Sequence, residues 1–292
     1  MRLFYLLLLS TLSNLCLACT SLHYYSSIRL EFHPVAVFMS VVPLNNTGFL
    51  GFYRTRFDTY ETGMVLLDKK LKLVMDFGTK IQRCEDPRSF MLDGDVYIVD
   101  NHMTNPRRWI HLHSGRETFA KPPQTVQGKN WSPFVFNHTL YFVFSVQPLC
   151  LLRCDVNTGN CWDISSCDGS KHNGQWRGGS NAYVLDNRVI GFGHITYTGE
   201  HHEPFFWSFP LTALESSESS SVTMHKLSDD FHGSRWKHAP GKLGLHDPSS
   251  IVQIGSSMYL MVTESDGSWF TDRQSYNLTW YRIDECTLRA LR

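Results

Sequence analysis

The sequence has no net charge, no Gly-rich phosphate loop and no Gly-x-Ser-x-Gly elbow, and each absence excludes a class of protein. Because 27 basic residues balance 27 acidic ones, no overall field would recruit nucleic acid or an acidic membrane. Without the loop and the elbow, P-loop chemistry and serine-hydrolase chemistry are not indicated. A charged ligand would therefore have to be held by a local cluster of side chains.

An apolar run opens the chain, in the stretch MRLFYLLLLSTLSNLCLAC. One Arg, a short apolar segment and small residues near Ala18 are typical of a secretory signal peptide. We expect cleavage after Ala18, which gives a signal peptide over residues 1–18 and a single catalytic domain over residues 19–292. An uncleaved signal anchor is the alternative, but the run is shorter than the roughly 20 apolar residues that a spanning helix needs. The expected location is the lumen of the secretory pathway, in the ER or Golgi, or outside the cell.

The cysteines and the glycosylation sequons agree with that location. Six cysteines beyond the apolar run favour disulfides in an oxidising compartment: Cys84, Cys150, Cys154, Cys161, Cys167 and Cys286. Their pairing is not determined by the sequence, but the cluster from Cys150 to Cys167 predicts a stapled hairpin region. Zinc is not favoured, because C-x3-C and C-x5-C are not finger spacings. Asn-x-Thr sequons begin at Asn45, Asn137 and Asn277.

Five segments of the chain share one pattern. Each runs from a polar residue through a short alternating apolar stretch and a Gly or Asn turn to a second β-rich stretch, which is a hairpin signature. Their second residues are Pro34, Pro87, Pro133, Ser180 and Pro248, at steps of 53, 46, 47 and 68. Helical periodicity is hard to find. The pattern predicts an all-β, five-bladed β-propeller; a β-sandwich is the alternative, but it would not need five equivalent segments.

The longest step contains the Ser-rich stretch LESSESSSVTMHK. This polar stretch is predicted to be a surface loop inserted in the fourth blade.

The starts of the five segments carry most of the candidate functional residues. Since the first strand of each blade lines the central channel, these polar groups are predicted to form one ring: His33, Glu85, Asp86, Arg88, Lys129, Asn130, Arg177, His246 and Asp247. Taken singly, each has a structural explanation, because Asp before Pro starts turns and Glu85 could pair with Arg88. Their coincidence at the segment starts favours a binding or catalytic funnel.

The motifs at these positions are EDPR, then KNWSPF one blade later, then RGG and GHITY. In these motifs the sequence resembles the β-mannoside phosphorylases of glycoside hydrolase family 130 and the related eukaryotic β-1,2-mannosyltransferases, which are five-bladed propellers. The resemblance spans roughly residues 30 to 270, and EDPR is its most specific part. It implies that Asp86 is the general acid of an inverting reaction, with Glu85 and Arg88 orienting it and the sugar.

The resemblance also implies roles for residues on the other blades. Arg54 in FYRT would bind sugar, as would Asn130 and Asp247. The set that would hold phosphate or the donor's phosphate is Lys129, Arg177, His194 and Tyr197. His33 stands where the family usually has an Asn before Pro.

The balance of acids and cations bears on the reaction. A hydrolase needs a second carboxylate to activate water, for which Asp247 and Glu264 are candidates. A phosphate-using enzyme needs cations instead, and Arg153 adds to the set above. We therefore expect a β-mannosyltransferase or mannoside phosphorylase that acts on a mannose-containing oligosaccharide. It would use phosphate or a sugar-phosphate or nucleotide-sugar donor, and the transferase is favoured in a lumen.

Two other functions stay open, namely a secreted inverting glycoside hydrolase and a catalytically inactive glycan-binding propeller. No cofactor or metal is implied, because His111-x-His113 and His201-His202 have no carboxylate or cysteine at a helpful spacing. Tryptophans that include candidate stacking platforms for sugars are Trp109, Trp131, Trp176, Trp207, Trp236 and Trp269. The oligomeric state is not predicted.

Overall fold

The computed structural model describes residues 22–28, 30, 36–44, 47–55, 60–78, 81–102, 107–122, 130–165, 176–196, 202–215, 222–227, 231–232, 245–265 and 276–290. These residues form a five-bladed β-propeller, so the predicted fold is confirmed. The proposed signal peptide over residues 1–18 lies outside the described residues, as do His33, Asn45, Lys129 and Tyr197. No helix in the described part is long and apolar enough to cross a bilayer.

The first strand in the chain, β1 (Leu22–Ile28), belongs to the last blade. Blades 1 to 3 are separate antiparallel sheets whose four strands follow one another in sequence. Blade 1 contains β2 (Val37–Leu44), β3 (Gly48–Arg54), β4 (Thr62–Leu67) and β5 (Leu73–Asp76). Blade 2 contains β6 (Arg88–Leu92), β7 (Asp95–Asp100), β8 (Arg108–His111) and β9 (Glu117–Phe119). Blade 3 contains β10 (Ser132–Phe136), β11 (Thr139–Ser145), β12 (Cys150–Cys154) and β13 (Cys161–Asp163).

In blade 4 the first strand is interrupted. Its two pieces, β14 (Trp176–Gly178) and β15 (Tyr183–Leu185), both pair with β16 (Arg188–Thr196). The blade continues with β17 (His202–Pro210), a 3₁₀ helix (Leu211–Leu214) and β18 (Thr223–Lys226). Blade 5 contains β20 (Leu245–Ile254), β21 (Ser257–Ser265), β22 (Asn277–Ile283) and β1. The short strand β19 (Phe231–His232) pairs with β1, and helix α1 (Glu285–Ala290) follows β22.

The prediction that LESSESSSVTMHK is a surface loop is wrong at both ends of the stretch. Its first residue, Leu214, is the last residue of the 3₁₀ helix. Thr223–Lys226 is β18, which pairs with β17 as the outer strand of blade 4. Val222 and Met224 pack against the core between blades 3 and 4, and this burial outweighs the polar composition that favoured a loop. Residues 216–221, which include all five serines of the stretch, lie outside the described part.

Tight turns close the hairpins where the sequence predicts them. At Asp93-Gly94 both residues have positive φ, 54° and 88°, as a two-residue hairpin turn with the strands' own twist requires. Asn137 and His138 adopt the same conformation between β10 and β11. Asn and Asp tolerate this backbone region better than most residues.

Hydrophobic cores fill the spaces between neighbouring blades. Trp280 of blade 5 lies with Tyr53 of blade 1 in one of them, and Trp109 of blade 2 lies with Phe142 of blade 3 in another. Trp207 is buried between blades 3 and 4. Trp109, Trp131 and Trp207 are thus packing residues and not platforms for sugar; Trp236 and Trp269 lie outside the described residues.

The cysteine prediction is partly confirmed. Cys154 and Cys161 form a disulfide across the β12–β13 hairpin, and Cys150 is also disulfide-bonded. Cys84, however, is a free thiol, contrary to the expectation for the six cysteines. It is fully buried in the core between blades 1 and 2, and burial raises its pKa, so it is unreactive.

Candidate active site

Asp86 and Glu85 meet at one guanidinium group on the step into blade 2. Nη1 of Arg54 donates to Asp86 Oδ1 at 2.8 Å and to Glu85 Oε1 at 3.2 Å. All three side chains are buried. Adjacent residues of a regular strand point to opposite faces, but Asp86 precedes β6 and has a positive φ of 45°. This backbone conformation, which is costly for a residue other than glycine, brings the two carboxylates together.

Arg88 contacts the backbone of this step and not its carboxylates. Its Nη1 donates to the carbonyl of Pro87 at 2.9 Å and to that of Asp86 at 3.3 Å. Burial lowers the pKa of Arg88, while the charges of Asp86 and Asp247 raise it. Without a direct contact, Arg88 is therefore attracted electrostatically to one carboxylate of blade 2 and to one of blade 5. Its Nε has no hydrogen-bond partner among the described residues.

The loop after β7 fixes the same step from the other side. Asp100 Oδ1 accepts a hydrogen bond from the backbone N–H of Glu85 at 2.9 Å. Asn101, fully buried, donates through Nδ2 to the carbonyl of Asp86 at 3.1 Å and accepts from the N–H of Trp131 at 3.0 Å. Asn101 thus connects the entry to blade 2 with the entry to blade 3.

Sequence reasoning missed two members of the cluster, Arg107 and His102. Arg107 is buried, stacks over Trp131 at 5.5 Å and donates to the carbonyl of His102. Burial lowers the pKa of Arg107 to about 10, although Asp100, Glu85 and Asp86 raise it. His102 Nε2 lies 3.7 Å from Glu85 Oε2. The predicted hairpin could have indicated both residues. Because β7 runs antiparallel to β6, the residues that follow β7 lie near the start of β6.

A second cluster joins blades 4 and 5. Asp247 Oδ1 lies 2.8 Å from His194 Nδ1. Asp247 Oδ2 accepts a hydrogen bond from His202 Nδ1 at 2.9 Å. The two imidazole rings stack, with centroids 4.1 Å apart and planes 6° from parallel. The interpretation of His202 as a residue with no nearby carboxylate is therefore wrong. Asp247 comes from another blade, at a separation that no local spacing reveals.

The protonation of this cluster follows from its burial. Burial, together with the charges of His202 and Arg177, lowers the pKa of His194 to about 4, although Asp247 raises it. Burial would raise the pKa of Asp247, but the two histidines hold it below its usual range. At neutral pH His194 is therefore neutral and Asp247 ionised. His194 offers a hydrogen bond to a ligand but no positive charge.

The ligand atoms of His194, His202 and Asp247 lie within 4.8 Å of one another, which is close enough to suggest a metal site. The ring geometry does not fit one. A metal bound through imidazole nitrogen lies near the plane of the ring, and two parallel stacked rings have no common point in their planes. Arg88 and Arg177 also act on these residues and would repel a cation. The arrangement fits one buried carboxylate shared by two histidines.

Glu264, the other candidate base, is engaged in blade 5. Its carboxylate accepts hydrogen bonds from Thr279 Oγ1 and Tyr281 Oη, both at 2.5 Å. His246 Nε2 lies 3.3 Å away. Burial raises the pKa of Glu264, but these three partners lower it below its usual range. Glu264 therefore anchors the interior of blade 5.

The RGG motif places blade 4 against its neighbours. A side chain at Gly178 would lie 2.3 Å from the carbonyl of Asn130, and one at Gly179 would lie 2.6 Å from that of Pro248. The two glycines therefore let three blades approach closely. Arg177, directly before them, is half-buried and pairs with His194 in register. Asn130 is buried, and its Oδ1 has no hydrogen-bond partner among the described residues.

Arg153 does not belong to the site. It is exposed on β12, the third strand of blade 3, where its guanidinium stacks over Trp162 at 5.5 Å. Its proposed place among the phosphate-binding cations is therefore wrong, because only the first strands line the channel.

The fold that holds these clusters is one that carbohydrate-active enzymes have. A mannose phosphorylase from Leishmania mexicana, solved in complex with phosphate ion, has a TM-score of 0.54 and 13% identity over 92% of this chain and 91% of that one. A family 43 β-1,3-galactosidase has a TM-score of 0.58 and 8% identity, covering 86% and 91%. An α-L-arabinofuranosidase of family 62 from Coprinopsis cinerea has 0.54 and 11%, covering 91% and 96%.

The sequence itself is similar to Beta-mannosyltransferase 3 of Candida albicans, with 30% identity over 154 residues. This match covers 45% of the chain and 27% of that protein, so the chain spans well under half the length of its curated relative. No protein-family model matches the chain.

Proposed function

We propose that the chain is an inverting mannosyltransferase of the secretory-pathway lumen, which transfers mannose from a phosphate-containing donor to a mannoside acceptor. Mannoside phosphorolysis is the same chemistry in reverse. The observation that carries the proposal is the state of the carboxylates. Asp86 lies among arginines, whereas Asp247, a candidate for activating water, lies between two histidines. Glu264, the other candidate, accepts hydrogen bonds inside blade 5. The similarities to a β-mannosyltransferase and, in fold, to a mannose phosphorylase support it.

Asp86 is the proton-transfer group of this reaction. In the direction of transfer, the acceptor hydroxyl gives its proton to the Asp86 carboxylate, and its oxygen forms a bond to the anomeric carbon. The bond from that carbon to the donor's phosphate oxygen breaks, the phosphate leaves with the electron pair, and the anomeric centre inverts. In phosphorolysis the protonated Asp86 returns the proton to the glycosidic oxygen while phosphate attacks.

The contact of Arg54 with Asp86 stabilises the charge state from which transfer starts. An opposite charge at 2.8 Å stabilises the ionised carboxylate. An ionised Asp86 is the base that transfer needs, whereas phosphorolysis and hydrolysis need a protonated acid. The transferase therefore ranks before the phosphorylase.

Polar groups without protein partners mark where the substrates would bind. Arg88 Nε is a donor and Asn130 Oδ1 an acceptor, and both are buried without a hydrogen-bond partner in the described part of the chain. Buried polar groups are normally paired, so a ligand is the natural partner for these two. Arg177 is the described cation that we propose for the donor's phosphate. Lys129 and Tyr197, which the sequence assigns to the same role, lie outside the described residues.

The experiment that tests the proposal incubates the purified protein with short mannosides and either mannose 1-phosphate or GDP-mannose. We expect the native protein to extend the mannoside and Asp86→Asn to lose at least about 100-fold in rate, because Asn cannot accept the proton. Asp93→Asn is the matched control. Asp93 is exposed in a hairpin turn whose positive φ Asn tolerates, so this variant should match the native rate. Absence of product from every donor would contradict the proposal.

Hydrolysis is the second candidate, because the structurally similar galactosidase and arabinofuranosidase have the same fold. Release of free mannose from a mannoside in phosphate-free buffer, lost in Asp86→Asn, would favour it over transfer. Binding of mannosides by both native protein and Asp86→Asn, with no turnover of any substrate, would favour a glycan-binding propeller.

A further inference from the structure

Tyr60 is an exposed aromatic ring that the chemistry above does not use. It lies between β3 and β4 with 38% of its surface exposed. Other exposed aromatic side chains in the described part lie on or beside the outermost strands of the blades, at Tyr24, Tyr25, Phe77, Phe119 and Trp162. Tyr60 differs from them because it contacts the candidate active site.

Two contacts hold the ring beside the carboxylates. The guanidinium of Arg54 lies 5.4 Å from the centroid of the Tyr60 ring, and the same guanidinium binds Asp86. The His102 ring meets Tyr60 edge to face at 4.6 Å, and His102 also lies 3.7 Å from Glu85. A molecule on the open part of the ring would therefore be a neighbour of both acids.

The backbone at Tyr60 is fixed in a conformation that most side chains avoid. Its φ is 47°, and its carbonyl accepts a hydrogen bond from the N–H of Cys84, the residue directly before Glu85. Backbone strain of this kind persists where the surroundings require it and is frequent at ligand sites. Here the strained backbone keeps the aromatic ring of Tyr60 partly exposed to water and beside the Glu85–Asp86 step.

We infer that Tyr60 is the stacking platform for the acceptor mannoside, an inference that rests on the proposed function. The apolar C–H face of a pyranose ring fits the face of an aromatic ring, while its hydroxyls reach polar neighbours. The acceptor must approach the anomeric carbon opposite the donor's phosphate. Tyr60 follows the second strand of blade 1 and Asp86 lies at the entry of blade 2, whereas Arg177 belongs to blade 4, so the ring lies on the acceptor's side of the channel.

The test measures kcat and the KM of each substrate for the native protein, Tyr60→Ala and Tyr60→Phe. We expect Tyr60→Ala to raise the acceptor's KM roughly 3- to 10-fold, which corresponds to the energy of one aromatic stacking contact. The donor's KM, kcat and the pH profile should stay near their native values, and Tyr60→Phe should restore the acceptor's KM. Tyr24→Ala is the matched control, because Tyr24 is equally exposed but lies on β1 at the periphery.

An unchanged acceptor KM in Tyr60→Ala would overturn the inference. So would a fall in kcat with a shifted pH profile and a native acceptor KM, because Tyr60 would then act only by positioning Arg54. If the native protein turns over no donor, the proposed function fails, and saturation-transfer NMR with mannobiose tests the platform separately. Saturation-transfer signals of mannobiose that are seen with the native protein and are lost with Tyr60→Ala would support the platform. Absence of these signals with the native protein would overturn it.

Discussion

Arg54 contacts the carboxylates of both Glu85 and Asp86, and this sharing controls the charge of the candidate site. One guanidinium neutralises one carboxylate, so the charge of the second is balanced by the neighbouring cations. Arg107, which interacts with both carboxylates, supplies further positive charge. The two acids are therefore held among cations of blades 1 and 2.

His194 is the residue whose charge should affect stability most clearly. Its pKa is about 4 in the folded protein and about 6.5 when unfolded. Between these values the unfolded chain binds the extra proton, so stability falls as the pH is lowered from 6.5 to 4, by on the order of 3 kcal/mol. The low pKa of Asp247 adds acid sensitivity only below about pH 4.

Urea unfolding of the native protein and of His194→Gln at several pH values in this range checks the prediction. The variant should show a shallower loss of stability on acidification than the native protein. His138→Gln is the control, because His138 is 86% exposed in a hairpin turn. Parallel pH curves for native protein and His194→Gln would contradict the assignment.

At the scale of elements, the hairpin explains why the site contains more than the segment starts. The first and second strands of blade 2 are antiparallel, with Arg88 opposite Val99. The chain therefore returns after β7 to the place where it entered β6. Asn101, His102 and Arg107 lie at this return, and each contacts the Glu85–Asp86 step or interacts with its charges.

Asn101 is the residue that this arrangement makes most sensitive. Asn101→Ala should cost roughly 1 to 3 kcal/mol of stability, because it leaves the buried N–H of Trp131 without its partner and removes one of two donors to the carbonyl of Asp86. Turnover should fall as well, since Asp86 loses an anchor. Denaturant unfolding and initial rates measure the two effects. Asn187→Ala, at an exposed turn of blade 4, should stay within about 0.5 kcal/mol; equal losses in both variants would refute the role.

At the scale of the whole molecule, the ring is closed by strands from the two ends of the described chain. β1 pairs antiparallel with β22 from Leu22–Ile283 to Ile28–Leu278, with a shift of register between Tyr24 and Ser26, and it forms the outer strand of blade 5. Leu22 and Ile28 are both buried. The last blade therefore depends on the first strand.

A truncation series tests this closure. A chain that begins at Leu22 should keep the thermal stability of the longer protein, whereas one that begins at Arg29 lacks β1. We expect the melting temperature of the second to fall by roughly 5 °C or more, because the apolar faces of β22 lose their cover. Scanning calorimetry measures both. Equal melting temperatures would show that blade 5 is stable with three strands.

The sequence was sufficient for the features that repeat along it. Alternation and turn residues identified the hairpins, their spacing indicated five blades, and the polar residues at their starts pointed to Asp86. Contacts between blades could not be predicted in the same way from the sequence. The cluster of His194, His202 and Asp247 joins residues far apart in the chain, and the burial of Cys84 depends on how two blades pack. Such contacts exist only once the ring has closed, so no local pattern encodes them.

The pairing of β1 with β22 also sets an order of events during synthesis. Ile28 and Leu278 are 250 positions apart, so β1 cannot pair with β22 until the four other blades have been synthesised. Such long-range pairing slows folding, and an unpaired strand with apolar side chains invites wrong association in the meantime. We expect chaperones to bind this strand while the remaining blades are synthesised.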